Sequence, residues 1–252
     1  MSQPLVSIIT PSFQQAAWLE TCMLSVLNQT YSNIEYIVID GESTDGSKDI
    51  IERYAPKLKY WHSKKDAGQV NALNIGYQKA KGDFIAFLNA DDVLEPWAVE
   101  TIIRVHEVNP EFGVIYGKCK TIDQLGNLIT EGQGEQIRFE GLVRKGMLPA
   151  MFQPACFFNK AYLRPDYFVN EKYQFAFDYE LILHLANQKT ILFVNRDLAS
   201  YRVHEKSKTA LNAFAATKEK LAIQQLYNPE NWLKWKWLSF KNLLAKLTGK
   251  IH

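Results

Sequence analysis

The segment GDFIAFLNADDVLEP (residues 82–96) places two aspartates directly after a short apolar strand. Phe84–Leu88 has the length and the apolar content of a buried strand. Similar strands precede and follow it, and helical patterns of about 10–12 residues separate them. This alternation predicts right-handed βαβ crossovers and a mostly parallel sheet flanked by helices. The predicted fold class is therefore α/β and Rossmann-like.

The rest of the chain divides at about residue 117. The predicted strands are 5–9, 34–39, 58–61, 84–88 and 112–116, and the predicted helices are 18–27, 47–54, 69–80 and 97–108. After them come a hairpin with arms at 118–122 and 127–130, a loop-like stretch over 132–146, a strand at 155–158, a helix at 178–187 and a strand at 191–194. The pattern indicates a nucleotide half (about 1–117) and, without a linker, a mixed α+β acceptor half (about 118–209). Residues 210–252 are predicted to form a helical, basic C-terminal tail.

Composition excludes several classes of protein. The 252 residues carry 29 basic and 27 acidic side chains, and a net charge of +2 gives no overall electrostatic footprint for nucleic acid. Three scattered cysteines are too few for a disulfide framework or a zinc knuckle, so we expect buried thiols. The N-terminus does not resemble a signal peptide, and no stretch reaches the roughly 20 apolar residues of a membrane span. We therefore expect a cytoplasmic protein, or one that is peripheral on the cytoplasmic face of a membrane.

Charge is concentrated at the C-terminal end. From Lys206 onward there are nine lysines, no arginine and two acids, so this segment carries +7 and the rest of the chain −5. Six apolar residues in the tail are spaced by four and three, which predicts one helical stripe: Leu233, Trp237, Phe240, Leu244, Leu247 and Ile251. Trp232 and Trp235 lie among the lysines, as is typical of helices at a membrane surface. Docking on an anionic membrane, packing on the acidic body and self-association are the three alternatives, and flotation with anionic liposomes would distinguish the first.

Polar residues follow four successive strands of the predicted sheet. They lie in the segments Thr10–Phe13, Asp40–Ser47, Lys64–Gln69 and Asn89–Asp92. In an open α/β sheet, ligands bind outside the carboxyl ends of the strands. The sequence therefore predicts that carboxylates, hydroxyls and glycines meet in one site at this edge.

The chemistry of that edge is not that of a standard phosphate cradle. Neither GxxxxGK[ST] nor GxGxxG follows a strand, which disfavours P-loop enzymes and dinucleotide oxidoreductases. Asp91 and Asp92 would repel an anionic diphosphate unless a divalent cation, Mg²⁺ or Mn²⁺, lay between them. The alternative is that these aspartates cap the helix that follows Glu95.

Seven segments carry a resemblance to a known family. SIITPSF, VIDGESTDGS, KKDAGQ and GDFIAFLNADDVLEP resemble glycosyltransferase family 2 in order and spacing. MFQPACFFNKAYL, FAFDYELILHLA and ASYRVHEKSKT resemble later segments of bacterial members that build polysaccharides and lipid-linked glycans. The likeness covers roughly residues 4–209. It implies the GT-A fold and inverting transfer of a sugar from a nucleotide-sugar, with UDP expected, to a hydroxyl of a glycan or lipid-linked acceptor in polysaccharide or cell-envelope biosynthesis.

The resemblance also implies roles for single residues. The expected nucleotide contacts are Thr10, Pro11, Ser12, Phe13, Asp40, Asp66, Gln69 and Asp91, with Asp40 hydrogen-bonded to the base. The expected ligands of Mn²⁺ or Mg²⁺ are Asp91, Asp92 and His204, and the expected catalytic base is Asp178. Gln153 is a candidate contact to the donor sugar or the acceptor, the alternative being an ordinary turn.

Three departures from the family pattern keep other functions open. Asn89 and Phe177 stand where many relatives have acids, and Glu42 stands where close relatives have glycine. A sugar-phosphate nucleotidyltransferase would use the same sheet edge and metal, but its Gly- and Arg/Lys-rich loop after the first strand is absent here. An inactive glycan-binding scaffold of the same fold is the other alternative. Metal-dependent hydrolysis of the nucleotide-sugar would separate an enzyme from a scaffold.

Overall fold

We analysed a computed structural model, which describes residues 3–188, 191–205, 207–208 and 212–228. Within these residues nine strands form one sheet: β1 (Val6–Ser12), β2 (Ile34–Asp40), β3 (Tyr60–Ser63), β4 (Phe84–Phe87), β5 (Val93–Leu94), β6 (Val114–Ile122), β7 (Leu128–Gln133), β8 (Cys156–Asn159) and β9 (Ile191–Arg202). Seven helices flank the sheet: α1 (Ala16–Leu27), α2 (Ser47–Tyr54), α3 (Gln69–Lys79), α4 (Ala98–Val108), α5 (Phe139–Lys145), α6 (Phe177–Gln188) and α7 (Ala213–Tyr227).

The sheet has a parallel half and a mixed half. Its strand order is β3-β2-β1-β4-β8-β6-β9-β5, and β7 pairs with β6 outside this path. Strands β3, β2, β1 and β4 are parallel, whereas β8 pairs antiparallel with both β4 and β6. The predicted α/β architecture, with a mixed second half, is therefore confirmed.

One strand joins two predicted segments, and another extends well beyond its predicted end. β6 runs from the predicted strand at 112–116 through the first arm of the predicted hairpin, 118–122, and its antiparallel pairing with β7 confirms that hairpin. β9 is predicted to end near Val194, yet it pairs in parallel with β6 from Ile191 to Arg202. Their apolar runs stop early, but pairing with each other and with β5 and β7 continues the ladder. β9 thereby carries the chain back to the carboxyl edge of the sheet.

The prediction of a loop over residues 132–146 was wrong in its second part. Helix α5 occupies Phe139–Lys145, between glycines that obscured its pattern. Leu142 and Val143 of this helix are fully buried in the core that α6 and α7 also help to form. Burial of two adjacent apolar side chains stabilises a helix that is too short to persist alone.

Two apolar cores lie on opposite faces of the sheet. One includes buried residues of α3, α5, α6 and α7, and the other those of α1, α2 and α4. The three cysteines are buried and free, as predicted. Helix α3 packs closely on β1, because a Cβ at Gly76 would lie 2.5 Å from Ile9 Cγ2. This contact fixes α3, whose first residue is Gln69, against the sheet.

Helix α7 belongs to this globule although the sequence assigned it to a separate tail. Its Ile223 is fully buried, and Gln224 Nε2 donates to the carbonyl of Val143 at 2.7 Å. The predicted boundary at residue 209 therefore does not separate Ala213–Tyr227 from the body. The apolar stripe predicted over residues 233–251 lies outside the described residues. In the described ranges, no helix combines the length and apolar character needed to cross a membrane.

Candidate functional site

The loops after the first three strands meet at one edge, as the sequence predicts. Gly41 follows β2, and a Cβ placed on it would lie 3.2 Å from Phe13 and 3.3 Å from the Asp66 carboxylate. Asp66 in turn accepts a hydrogen bond from the Gly68 N–H at 2.8 Å. Phe13 is 62% exposed, so its ring faces solvent beside these loops. The first three strand ends thus form one wall of a shared site.

Asp40 is buried and organises the loop that follows it. Its carboxylate accepts hydrogen bonds from the Ser43 N–H at 2.9 Å, the Ser43 hydroxyl at 2.6 Å and the Ser63 hydroxyl at 2.6 Å. These bonds join the end of β2 to the end of β3. The structure places Asp40 at the predicted edge, with both oxygens engaged inside the protein.

The residues after Ile9 divide between the core and the site. β1 extends to Ser12, so Thr10 is a strand residue whose hydroxyl lies 2.9 Å from the buried Tyr36 hydroxyl. Pro11 and Ser12 are also buried. The Ser12 hydroxyl has no hydrogen-bond partner within the described part of the chain. The Thr10 side chain therefore packs in the core, while Phe13 is the member of this group that is open to a ligand.

Glu42 has a left-handed backbone, with φ = +68°. This conformation is costly for residues other than glycine, which is the residue that relatives are expected to have here. Because the Glu42 side chain is exposed, replacing it removes little packing.

We expect Glu42→Gly to raise the free energy of unfolding by up to about 1 kcal/mol, since relief of strain is partly offset by chain entropy. Glu42→Val should lower it, because a β-branched residue is strongly disfavoured at positive φ. Denaturant unfolding of the three proteins tests this order, and equal stabilities would show that the backbone is not strained.

A network of amide side chains links Gln69, Asn89 and Gln153. Gln69 Nε2 donates to Asn89 Oδ1 at 2.7 Å, and Asn89 Nδ2 lies 3.4 Å from Gln153 Oε1 and 3.3 Å from Asp92 Oδ2. Gln153 Nε2 donates to the carbonyl of Phe87 at 2.7 Å. An ionised aspartate at position 89 could not donate these bonds. Asn89 therefore connects Gln69 and Gln153 through its amide.

Asp91 and Asp92 differ in orientation although they are adjacent. Asp91 Oδ2 lies 2.9 Å from His204 Nε2, and its side chain is 17% exposed. Asp92 is fully buried, and its Oδ1 accepts the Arg202 N–H at 2.9 Å. Burial raises the pKa of the Asp92 carboxyl well above its ordinary value, and the neighbouring Asp91 adds to the rise. Helix α4 begins only at Ala98, so neither aspartate caps it.

The Asp91–His204 pair fits a metal site that is completed by substrate. His204 Nδ1 is buried and has no partner among the described residues, while Nε2 faces Asp91. The described ranges contain no cluster of three or more His, Cys, Asp or Glu side chains that could hold an ion by themselves. Mg²⁺ is commonly bound through one or two carboxylates together with substrate phosphates and water.

Asp178 lies in the first turn of α6, whose first residue is Phe177. Its Oδ1 accepts the Tyr179 N–H at 2.7 Å. Burial raises the pKa of Asp178 to about 6, while the positive charge of Lys208 lowers it and the negative charge of Glu219 raises it. The Phe177 ring packs in the core, with its centroid 5.9 Å from that of Phe87, so it replaces an acid by an apolar contact.

Sequence reasoning missed three residues that complete the site. Arg202 Nε donates to the carbonyl of Asp91 at 2.8 Å, and its Nη1 donates to that of Asp123 at 2.9 Å. The Trp18 ring lies 4.1 Å from the His204 ring. Lys208 Nζ donates to Gln69 Oε1 at 3.3 Å. The signal for Arg202 and Lys208 was their place within ASYRVHEKSKT, next to His204.

Comparisons with known proteins bear on the family and the fold of the chain. A model of glycosyl transferase family 2 matches residues 7–167. Chondroitin synthase of Escherichia coli is 31% identical over 196 residues, which cover 77% of this chain and 28% of that protein. GalNAc(5)-diNAcBac-PP-undecaprenol beta-1,3-glucosyltransferase of Campylobacter jejuni is 27% identical over 217 residues, covering 83% of this chain and 68% of that protein. The chain spans less than half the length of several relatives, including 40% of an uncharacterized glycosyltransferase of Nostoc.

Solved structures show the same fold. S. aureus TarS 1–349 in complex with UDP-GlcNAc has a TM-score of 0.71 and 16% identity, over 88% of this chain and 65% of that one. Mannosyltransferase PcManGT of Pyrobaculum calidifontis, in complex with GDP-Man and Mn²⁺, has a TM-score of 0.62 and 16% identity, over 97% and 81%. These likenesses establish the GT-A fold. Since the family model matches well over half of the sequence, the chain belongs to glycosyl transferase family 2.

Proposed function

We propose that the protein is a glycosyltransferase that moves a sugar from a nucleotide-sugar, expected to be a UDP-sugar, to a hydroxyl of a glycan or lipid-linked acceptor. The observation that supports this proposal most strongly is a contact between two sets of residues at one sheet edge: those expected to bind the nucleotide-sugar and those that precede the expected base. Lys208 connects Gln69, among the residues expected to bind the nucleotide-sugar, to the carbonyl of Gln174, which lies three residues before α6 and four before Asp178. Among relatives, the C. jejuni enzyme is named for an undecaprenol-linked substrate, and TarS was solved with UDP-GlcNAc.

The donor nucleotide would lie along the wall formed by the first three strand ends. The exposed ring of Phe13 offers the base an aromatic face, and the buried Ser12 hydroxyl lies in the segment before it. Asp66 and Gln69 would contribute further polar contacts. Asp40 would hold the loop that shapes this wall, because its oxygens already accept three hydrogen bonds.

Asp91 and His204 would hold a divalent cation, Mn²⁺ or Mg²⁺, together with the diphosphate. When bound, such an ion stabilises the charge that develops on the departing diphosphate. Asp92 would act beneath the site, where it fixes the backbone of Arg202. Arg202 in turn donates to the Asp91 carbonyl and so holds the segment that carries the metal-binding carboxylate.

Asp178 would accept the proton of the attacking hydroxyl. A base with a pKa of about 6 is ionised at neutral pH and still able to take up a proton in the transition state. Because Phe177 replaces the acid expected beside it, the assignment depends on a single carboxylate. Attack opposite the leaving diphosphate in one step would invert the anomeric centre, as the family resemblance implies.

A thermal-shift panel of UDP-, GDP-, dTDP- and CMP-sugars, each with and without Mn²⁺, tests the proposal. A ligand that binds the native state stabilises it by about 2.7 kcal/mol at 100 times its Kd. We expect UDP-sugars with Mn²⁺ to raise Tm most. If no nucleotide-sugar raises Tm, the donor assignment is wrong.

Two assays separate the alternative functions. Metal-dependent release of UDP without acceptor indicates an active transferase rather than an inactive scaffold. Release of pyrophosphate from a nucleoside triphosphate and a sugar phosphate would indicate a nucleotidyltransferase. Peripheral membrane association through residues 233–251 stays a prediction from the sequence.

A further inference from the structure

Residues from the C-terminal end hold the turn that precedes Asp178. This turn, Gln174–Ala176, is called the base turn below. Glu219 Oε1 accepts the Gln174 N–H at 2.9 Å, and Glu219 Oε2 accepts the N–H groups of Phe175 at 2.8 Å and Ala176 at 2.9 Å. These three N–H groups lie in the turn before α6 and are not bonded within a helix, so one carboxylate from α7 satisfies three backbone donors.

Lys208 holds the same turn from its other side. Its Nζ donates to the carbonyl of Gln174 at 2.6 Å, so Lys208 and Glu219 bind both backbone polar groups of that residue. The ammonium also lies 5.2 Å from the ring centroid of Phe175 and 5.8 Å from that of Phe177. The charge of Lys208 thus lies near one aromatic ring within the base turn and one directly after it.

These contacts span both sides of the proposed reaction. Lys208 reaches Gln69 on the donor side, and Glu219 fixes the base turn from which α6 carries Asp178. Glu219 is 41 positions beyond Asp178 and lies on a different helix, so its role depends on the docking of α7. That docking is secured by the buried Ile223 and by the bond from Gln224 to Val143.

We propose that Glu219 and Lys208 are positioning residues that hold the base turn and so set the orientation of Asp178, and that helix α7 is therefore part of the active site. This inference rests on the proposed function, in which Asp178 is the base. Neither residue needs to touch substrate: each acts through the base turn and through its charge.

The charges around Asp178 give the proposal a distinctive pH signature. Glu219 raises the pKa of Asp178 and Lys208 lowers it, while burial dominates. Cys156 and Tyr201 also face Asp178 closely enough for its charge to raise their pKa values. Loss of the negative charge at Glu219 should therefore move the acidic limb of the rate profile to lower pH, and loss of the positive charge at Lys208 should move it to higher pH.

The test uses the full chain with Glu219→Gln, Lys208→Met and, as a matched control on the exposed face of α7, Lys218→Gln. We expect Glu219→Gln to lower kcat by about 10- to 100-fold, because misplacing a reacting group by about 1 Å is costly. Its affinity for UDP with Mn²⁺, measured by calorimetry, should change by less than about threefold. The acidic limb of the pH–rate profile should move to lower pH in Glu219→Gln and to higher pH in Lys208→Met, and the profile of Lys218→Gln should match that of the wild type.

The outcomes separate this proposal from the proposed function. If kcat per folded molecule and the acidic limb are unchanged in both variants, Glu219 only caps a helix and the positioning proposal fails. Lys208→Met keeps an apolar side chain near Phe175 and Phe177. If Glu219→Gln does not fold, the acidic limb of the pH–rate profile of Lys208→Met therefore tests the proposal. Asp178→Asn is assayed alongside. Full activity in that variant would overturn the assignment of Asp178 as the base and the positioning proposal with it, while the transfer activity itself would stand. Inactivity of that variant, with normal Glu219 and Lys208 variants, would overturn only the positioning proposal.

Discussion

Asp178→Asn is expected to lower kcat by about 10²–10⁴-fold while leaving donor affinity nearly unchanged. The substitution keeps the shape of the side chain, and its oxygen can still accept the Tyr179 N–H. It removes the group that takes the proton from the acceptor hydroxyl. Steady-state kinetics with a UDP-sugar and Mn²⁺, together with calorimetric binding of UDP, separate the effect on chemistry from that on binding. Asp166→Asn, at an exposed aspartate in the preceding loop, is the control.

The pH dependence gives a second readout of the same prediction. Since Asp178 must be ionised to act, kcat/KM, which reports the pKa values of the free enzyme, should rise through a midpoint near pH 6 in the wild type. Folding raises the pKa of Asp178 from its ordinary value of 3.8 to about 6, so the folded protein loses stability as the pH rises through this range. Asparagine does not suffer this loss, so Asp178→Asn should have an equal or higher Tm at pH 7. Turnover near the wild-type rate in this variant would place the base elsewhere.

Asp91→Asn should weaken Mn²⁺-dependent binding of UDP by about 100-fold or more. Changing a residue that only supports a metal ligand already lowers metal affinity by about 10- to 100-fold, and Asp91 is the proposed ligand itself. Asp92→Asn should have a much smaller effect, because Asp92 is fully buried and its Oδ1 partner, the Arg202 N–H, can be kept by an amide oxygen. Calorimetric titration of UDP with and without Mn²⁺ measures both. Equal affinity in the wild type with and without metal would show that binding is metal-independent, and an equal loss in the two variants would place Asp92 in the site.

The sequence predicts the parallel half of the sheet well because that information is local. Each of its strands is a short apolar run, and polar residues mark each carboxyl end. Helix α5 was missed because Gly141 and Gly146 interrupt its pattern, while its stability comes from burial of Leu142 and Val143 against distant helices. The length of β9 was underestimated for a similar reason, since its polar C-terminal part is held by pairing with β5 and β6.

The site shows the same division between local and distant information. Its edge follows from the strand ends, but adjacent aspartates are indistinguishable in sequence. The Arg202 N–H, 110 positions away, distinguishes them by binding Asp92 and leaving Asp91 opposite His204. Glu219 lies in the segment that was assigned to a tail, and Lys208 stands near the end of the last segment that resembles the family, where no role was assigned to it. Their importance depends on how α7 docks, which no local pattern encodes.

The parallel pairing of β9 with β6 has a consequence for the order in which the protein matures. β9 delivers Arg202 and, two residues later, His204 to the edge formed by β4. While the chain is being synthesised, the nucleotide half leaves the ribosome first, with Asp92 lacking the N–H that satisfies it and Asp91 lacking its imidazole partner. Residues 7–167, which match the family model, end before either partner has appeared. On the proposed assignment of Asp91 and His204, the nascent chain therefore has no complete metal-binding pair until β9 and His204 have joined the sheet.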